Sequence, residues 1–360
     1  MKIVFIGLSL SSSWGNGHAT TYRSLMRALA HRGHDCIFLE CERPWYRSNQ
    51  DLTDPDFCRL CFYTDLIELQ QFAQEIRSSD LVIVGSFIGE GIAVGDYVLQ
   101  EARGVTAFFD IDTPVTLKAV ERGDCSYLHA MQMARYDLYL SFSGGPRLFE
   151  LSRRFGVKRP RALYCSSELP LVESCPLYDL TYMGTYSADR QPGLDELLVS
   201  VAAALPERQF LIAGPQYPDT SSWPSNIKHL SHISPQDHQH FYASSRFTLN
   251  ITRADMRRFG FSPSVRLFEA AAAGAPIISD SWEGIDSIFD PGREICLASG
   301  RDDVLACLDM TEPERMSLRQ AARARFEQAH LPNKRACDLE AFVAEVNSVL
   351  QPEGASCCCP

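Results

Sequence analysis

The 360-residue sequence predicts an α/β protein of two Rossmann-like domains, each a parallel sheet covered by helices on both faces. Apolar runs of strand length recur without polar alternation, and helical patterns separate them, as expected for strands buried on both sides. The rhythm breaks between residues 164 and 179, a stretch with prolines, serines, two cysteines and no period, and then restarts. Two domains also suit a chain of this length. The expected division is 1–168, then 169–335, then a C-terminal helix and frayed tail over 336–360. Ligands of such sheets sit at the C-terminal ends of the strands, so both sheets are expected to face a central cleft.

Taken in order, "KIVFIGLSL" is a buried strand and "ATTYRSLMRALAHRG" a helix with Leu25, Met26 and Leu29 on one face, stopped by Gly33. "HDCIFLE", "DLVIVGSF", "VTAFFDID" and "DLYLSFSG" continue the first sheet. After the break, "DLTYMGTYS", "QFLIAG", "IKHLSHI", "FTLNIT" and "APIISD" form the second, with helices between them. "TEPERMSLRQAARARFEQAH" and "ACDLEAFVAEVNSVL" are amphipathic helices.

A net charge of −11 opposes general binding to nucleic acid or anionic membrane. The N-terminus lacks a basic region and a small-residue cleavage site, and no run approaches the roughly 18 apolar residues of a membrane span. A cytoplasmic protein is expected. The thirteen cysteines are scattered, as reduced thiols are. Cys58 and Cys61 form a CxxC without a second pair at zinc-site spacing, and the terminal "CCCP" is a poor prenylation signal. No metal is expected.

The stretch "GFSPSVRLFEAAAAGAPIISDSWEG", residues 260–284, reads as loop, helix and strand. Ser262 suits the N-cap and Pro263 the first helical position. Arg253, Arg257 and Arg258 precede a helix start whose amides attract anions, which points to phosphate. The alanines let the helix lie close to its sheet. Glu269, two turns in, is placed to accept from sugar hydroxyls; alternatively it forms an exposed bridge with Arg266. Near the first strand, Gly15 and Gly17 make a loop ahead of His18. A dinucleotide fingerprint would use these glycines and Glu40, but Thr20 occupies the third glycine position and a serine loop intervenes. Asp110 and Asp112 end another strand, either as chemistry-bearing acids or as a cap for "TPVT". "SFSGGP", with Ser143, is a weaker candidate for acceptor contact.

The segment from "NITRADMRRFGFSPSVRLFEAAAAGAPIISD" to "FDPGREI" resembles the donor-binding segment of two-domain GT-B glycosyltransferases, closest to the CgeB-like group related to glycosyltransferase family 4. The resemblance covers most of residues 179–296. It implies a nucleotide-diphosphate sugar donor, UDP-sugar foremost, held by Gly17, Gly184, Tyr186, Arg190, Ile233, Arg253, Ser262, Ser264, Val265, Arg266 and Glu269, with Glu269 on ribose. It implies catalytic roles for His18, Asp110 and Asp112, with His18 a general base in some inverting members and otherwise a cap or phosphate contact. Many family 4 enzymes carry an acid where Phe261 stands. The expected function is metal-independent, retaining sugar transfer, with no cofactor and an unidentified acceptor; a nucleotide-sugar epimerase or hydrolase, or a non-catalytic binding protein, is the alternative.

Overall fold

The computed structural model describes residues 1–15, 17–173 and 175–350, so the terminal cysteines Cys357–Cys359 lie outside the described residues. Its first seven strands are β1 (Lys2–Gly7), β2 (Asp35–Cys41), β3 (Arg59–Tyr63), β4 (Leu81–Gly85), β5 (Val105–Asp110), β6 (Leu138–Ser141) and β7 (Pro160–Ala162). They form a parallel sheet in the order β3-β2-β1-β4-β5-β6-β7. The order reverses beside β1, which opens a crevice at the ends of β1 and β4.

Side chains alternate between two cores. Ile3, Phe5, Leu81, Ile83 and Phe109 pack beneath the helix Gly17–His31. Val4, Ile6, Val82, Val84 and Phe108 pack with Val94, Leu117 and Leu148 on the other face. This two-sided burial is why the strands read as continuous apolar runs.

The second sheet holds β8 (Tyr178–Met183), β9 (Phe210–Ala213), β10 (Ile227–Leu230), β11 (Ser245–Asn250), β12 (Ile277–Ser279) and β13 (Cys296–Leu297), all parallel, in the order β10-β9-β8-β11-β12-β13. The helix Val265–Ala273 covers it with Ala270, Ala271, Ala272 and Ala273, all essentially unexposed. Methyl side chains allow that close approach without cavities. Gly274 ends the helix in the left-handed conformation, φ 78.

The sequence reading missed β3, β7 and β13. β3 carries Cys61 of the CxxC and is only half-buried, β7 is a three-residue edge strand opening on proline, and β13 has two residues. The last helix starts at Pro332 rather than near residue 336, because proline suits a first helical turn. It returns to the first sheet: Ala336, Leu339, Val343 and Val346 join the core under the helix Gly17–His31.

Candidate functional site

The two sheets present their strand ends to one cleft of about 390 Å³, lined from both sides. Gly17, His18, Asp112, Phe142 and Cys165 contribute from the first half of the chain. Gly184, Arg190, Ile233, His238, Arg253, Ser262, Arg266 and Glu269 contribute from the second. Gly17, His18, Asp112, Gly184, Arg190, Ile233, Arg253, Ser262, Ser264, Val265, Arg266 and Glu269, all picked out from the sequence, therefore share one cavity.

Tyr186 and Asp110 do not line it. The Tyr186 ring meets Tyr217 edge-on, 5.7 Å between centroids, in an aromatic group with Trp223 and His229. Asp110 is fully buried beneath the cleft. Tyr139 donates to its Oδ2 at 2.6 Å, and Thr116 and the Asp112 amide donate to Oδ1. Burial pushes its carboxyl up to about 6 despite these donors. An acid so enclosed orients its neighbours and does not line the cleft.

The loop after β1 is built by Glu40. Its carboxylate accepts from Ser9 Oγ, the amides of Leu10 and Ser11, and Ser11 Oγ at 2.7–2.9 Å. Glu40 is thus fully engaged in holding the serine loop and is unavailable to a dinucleotide ribose, which removes that alternative. The loop delivers His18 to the cleft, where its Nε2 lies 3.5 Å from Asp112 Oδ2. Asp112 makes no side-chain cap to the helix Thr113–Arg122 that it precedes, so the capping alternative fails for it. Phe87 supports the His18 ring edge-on at 5.6 Å.

Across the cleft, Arg190 donates from Nη2 to the Thr185 carbonyl at 2.6 Å, while its buried Nε has no partner among the described residues. Burial, and the charges of Arg266 and Arg253, press its pKa below the usual guanidinium range. Three arginines gathered here, of which Arg253 faces Asp189, leave an excess of positive charge suited to an anion. Arg253 is 4.0 Å from Asp189, which also accepts from the Ala254 amide at 2.9 Å and so ties the Arg190 loop to the Arg253 loop. Arg266 is buried over the Tyr182 ring and donates to the Met183 carbonyl and to Asn250 Oδ1. A Cβ at Gly184 would press on Arg266 and Tyr182, and one at Gly214 would strike the Gly184 carbonyl; both glycines keep this wall thin.

The helix start differs from expectation. Ser264, not Ser262, is the N-cap, its Oγ accepting from the Arg266 amide at 3.3 Å, and the helix begins at Val265. Ser262 instead donates to the Gly260 carbonyl and bonds Ser143 Oγ at 2.7 Å, joining the halves of the chain. Beside it, the Gly144 amide donates to the Phe261 carbonyl at 2.8 Å. Phe261 has φ 46, and its ring fills space that a Cβ at Gly145 or Gly284 would enter. Phe261 therefore makes a wedge between the two halves.

Glu269 is buried and makes no exposed bridge with Arg266. Tyr242 donates to its Oε2 at 3.1 Å, and His238 Nδ1 lies 3.3 Å from Oε1. His238 was missed by sequence reasoning: no spacing links it to Glu269, 31 residues away, and only the packing of two helices brings them together. Among the described residues, no group of three His, Cys, Asp or Glu side chains is arranged to hold a metal ion, and no helix is long and apolar enough to cross a membrane.

Residues 190–341 match the family model described as "Glycosyl transferase-like", so this segment of the chain is a glycosyltransferase-like domain. No curated protein matches the chain in sequence. Solved structures resemble it along nearly its whole length. Sucrose-phosphate synthase from Thermosynechococcus elongatus has a TM-score of 0.69 at 14% identity, covering 97% of this chain and 99% of that one. HepE of Anabaena, solved with UDP and glucose, has a TM-score of 0.71 at 12% identity, covering 96% and 100%. An alpha-glucosyltransferase solved with UDP has a TM-score of 0.68 at 10% identity, with the same coverage. The fold is GT-B, and residues 190–341 carry its glycosyltransferase-like domain.

Proposed function

We propose that this protein transfers a sugar from a UDP-sugar to an acceptor held against the first sheet, without a metal or other cofactor. The observation that carries the reading is the wall of Arg190, Arg253 and Arg266 beside the N-terminus of the helix Val265–Ala273, facing the cleft that Glu269 closes. In this reading the arginines and helix amides hold the diphosphate and stabilise its growing charge as it leaves. Glu269 accepts from the ribose hydroxyls, and the loop at Ile233 receives the base. The UDP bound by HepE and by the alpha-glucosyltransferase supports the donor class. The likeness of residues 260–284 to CgeB-like enzymes supports a family 4 relationship and hence retention of anomeric configuration. The net charge of −11 favours an acceptor other than nucleic acid.

The His18–Asp112 pair favours a second reading, in which Asp112 orients His18 as general base for inversion. UDP release measured over a panel of UDP-sugars, with and without acceptors, tests the first claim. Acceptor-stimulated release is expected; release that no acceptor stimulates contradicts transfer and favours a hydrolase or epimerase. NMR of the product's anomeric proton then separates retention from inversion.

A further inference from the structure

Glu269 is held by two partners of unlike chemistry. Tyr242 approaches Oε2 and His238 approaches Oε1, and both lie on the helix His238–Ala243. The His238 and Glu269 side chains are 16% and 5% exposed, yet both residues line the cleft. An ionised carboxylate offers about four lone-pair sites. Two protein donors therefore leave further acceptor sites on Glu269 for hydroxyls of a ligand.

Resting on the reading that the cleft takes a UDP-sugar, we infer that His238 is the positioning residue of the nucleoside subsite: as a cation it orients Glu269 and cancels its charge, making donor affinity depend on pH. A cationic His238 makes the pair neutral, so that Glu269 no longer repels the diphosphate. A neutral His238 leaves an uncompensated carboxylate in the same small cavity as two negative phosphates. The surroundings fit this switch. Burial opposes charge on His238, but Glu269 outweighs it, aided by the Ile233 backbone and Asp237, and holds the imidazole above its usual range. Burial likewise pushes Glu269 up, but His238, Tyr242 and Arg266 bring its carboxyl below the usual range. Of the other packed elements, β11 reaches the helix through Ser245, which donates to the Phe241 carbonyl, while Arg246 turns to Asp179 and Met310; the helix Glu312–Ala329, packed on the Glu269 helix, directs Arg319 to the Val172 carbonyl and Arg323 to the Ala272 carbonyl.

The sign follows from linkage. An anionic ligand raises the pKa of His238 further, so binding takes up protons and affinity falls as pH rises through that pKa. A ligand-induced rise of about one unit corresponds to a roughly tenfold fall. The probe is UDP-glucose, whose diphosphate diester does not titrate near neutrality, in calorimetric titrations from pH about 5.5 to about 9. The wild type is expected to lose about tenfold in affinity across that range. His238→Ala is expected to bind weakly with a flat profile. His238→Asn, which keeps a donor near the Nδ1 position without the charge, recovers affinity but stays flat. Thermal melts of each variant report folding independently. A wild-type slope that persists in His238→Asn overturns the inference and leaves the nucleotide reading intact, because His18 and His232 also line the cleft. Failure of the wild type to bind UDP-glucose at every pH overturns both.

Discussion

At the scale of single residues, the site depends on groups whose charge is fixed by burial and neighbours. Glu269 is ionised inside a closed wall because His238, Tyr242 and Arg266 favour its charge. Glu269→Gln keeps the shape while weakening acceptance from ribose, and charged hydrogen bonds contribute about 1.5–3 kcal/mol. Donor affinity should fall roughly 10- to 100-fold by calorimetry, with the melting temperature kept near that of the wild type. Unchanged affinity would remove Glu269 from the ribose role. Its position was legible in the sequence because the motif around it is local; His238 was not, because its proximity exists only after two helices pack. Asp110 shows the opposite failure. A D-x-D at a strand end reads as paired chemistry because residues i and i+2 share a strand face, yet β5 ends at Asp110 and the chain turns into the next helix, leaving Asp112 in the cleft and Asp110 beneath it.

At the scale of elements, strands buried on both faces were readable and short edge strands were not. β7 and β13 are too brief for periodicity, so their existence is decided by the neighbour they pair with. The C-terminal helix was readable as amphipathic, but its partner was not. It docks on the first sheet's side through Leu339 and Val343, and Glu340 fastens it by a two-pronged bond to Arg32 at 2.6 and 2.7 Å and a contact with His34 at 2.6 Å. The bond from Arg32, with His34 beside it, brings the Glu340 carboxyl down to about 2. A depressed carboxyl stabilises the fold above its unfolded pKa, and that contribution disappears as pH falls from about 4.5 towards about 2. Because the pair is partly solvated, its worth is about 0.5–1 kcal/mol. Glu340→Gln should be less stable than the wild type by that amount at neutral pH in urea unfolding. The difference should vanish in acid; a constant difference would mean that packing, not charge, was lost.

At the scale of the whole molecule, two parallel sheets with opposed strand ends create a cavity that neither builds alone. The halves are joined at the cleft's floor by Ser143 with Ser262, Gly144 with Phe261, and at its margin by Lys118 with Asp255 at 3.2 Å. Phe261 strengthens that junction, its ring filling space beside Gly145 of the first half and Gly284 of the second. The central claim is that the arginine wall binds the donor's diphosphate. It is tested most directly by titrating UDP into the wild type and Arg190→Gln, a change that keeps a donor for the Thr185 carbonyl but removes the charge. The account predicts binding of one UDP per chain, weakened about tenfold or more in the variant, as expected for losing a charged hydrogen bond. Equal affinity in the two proteins, or no UDP binding by the wild type, would contradict it.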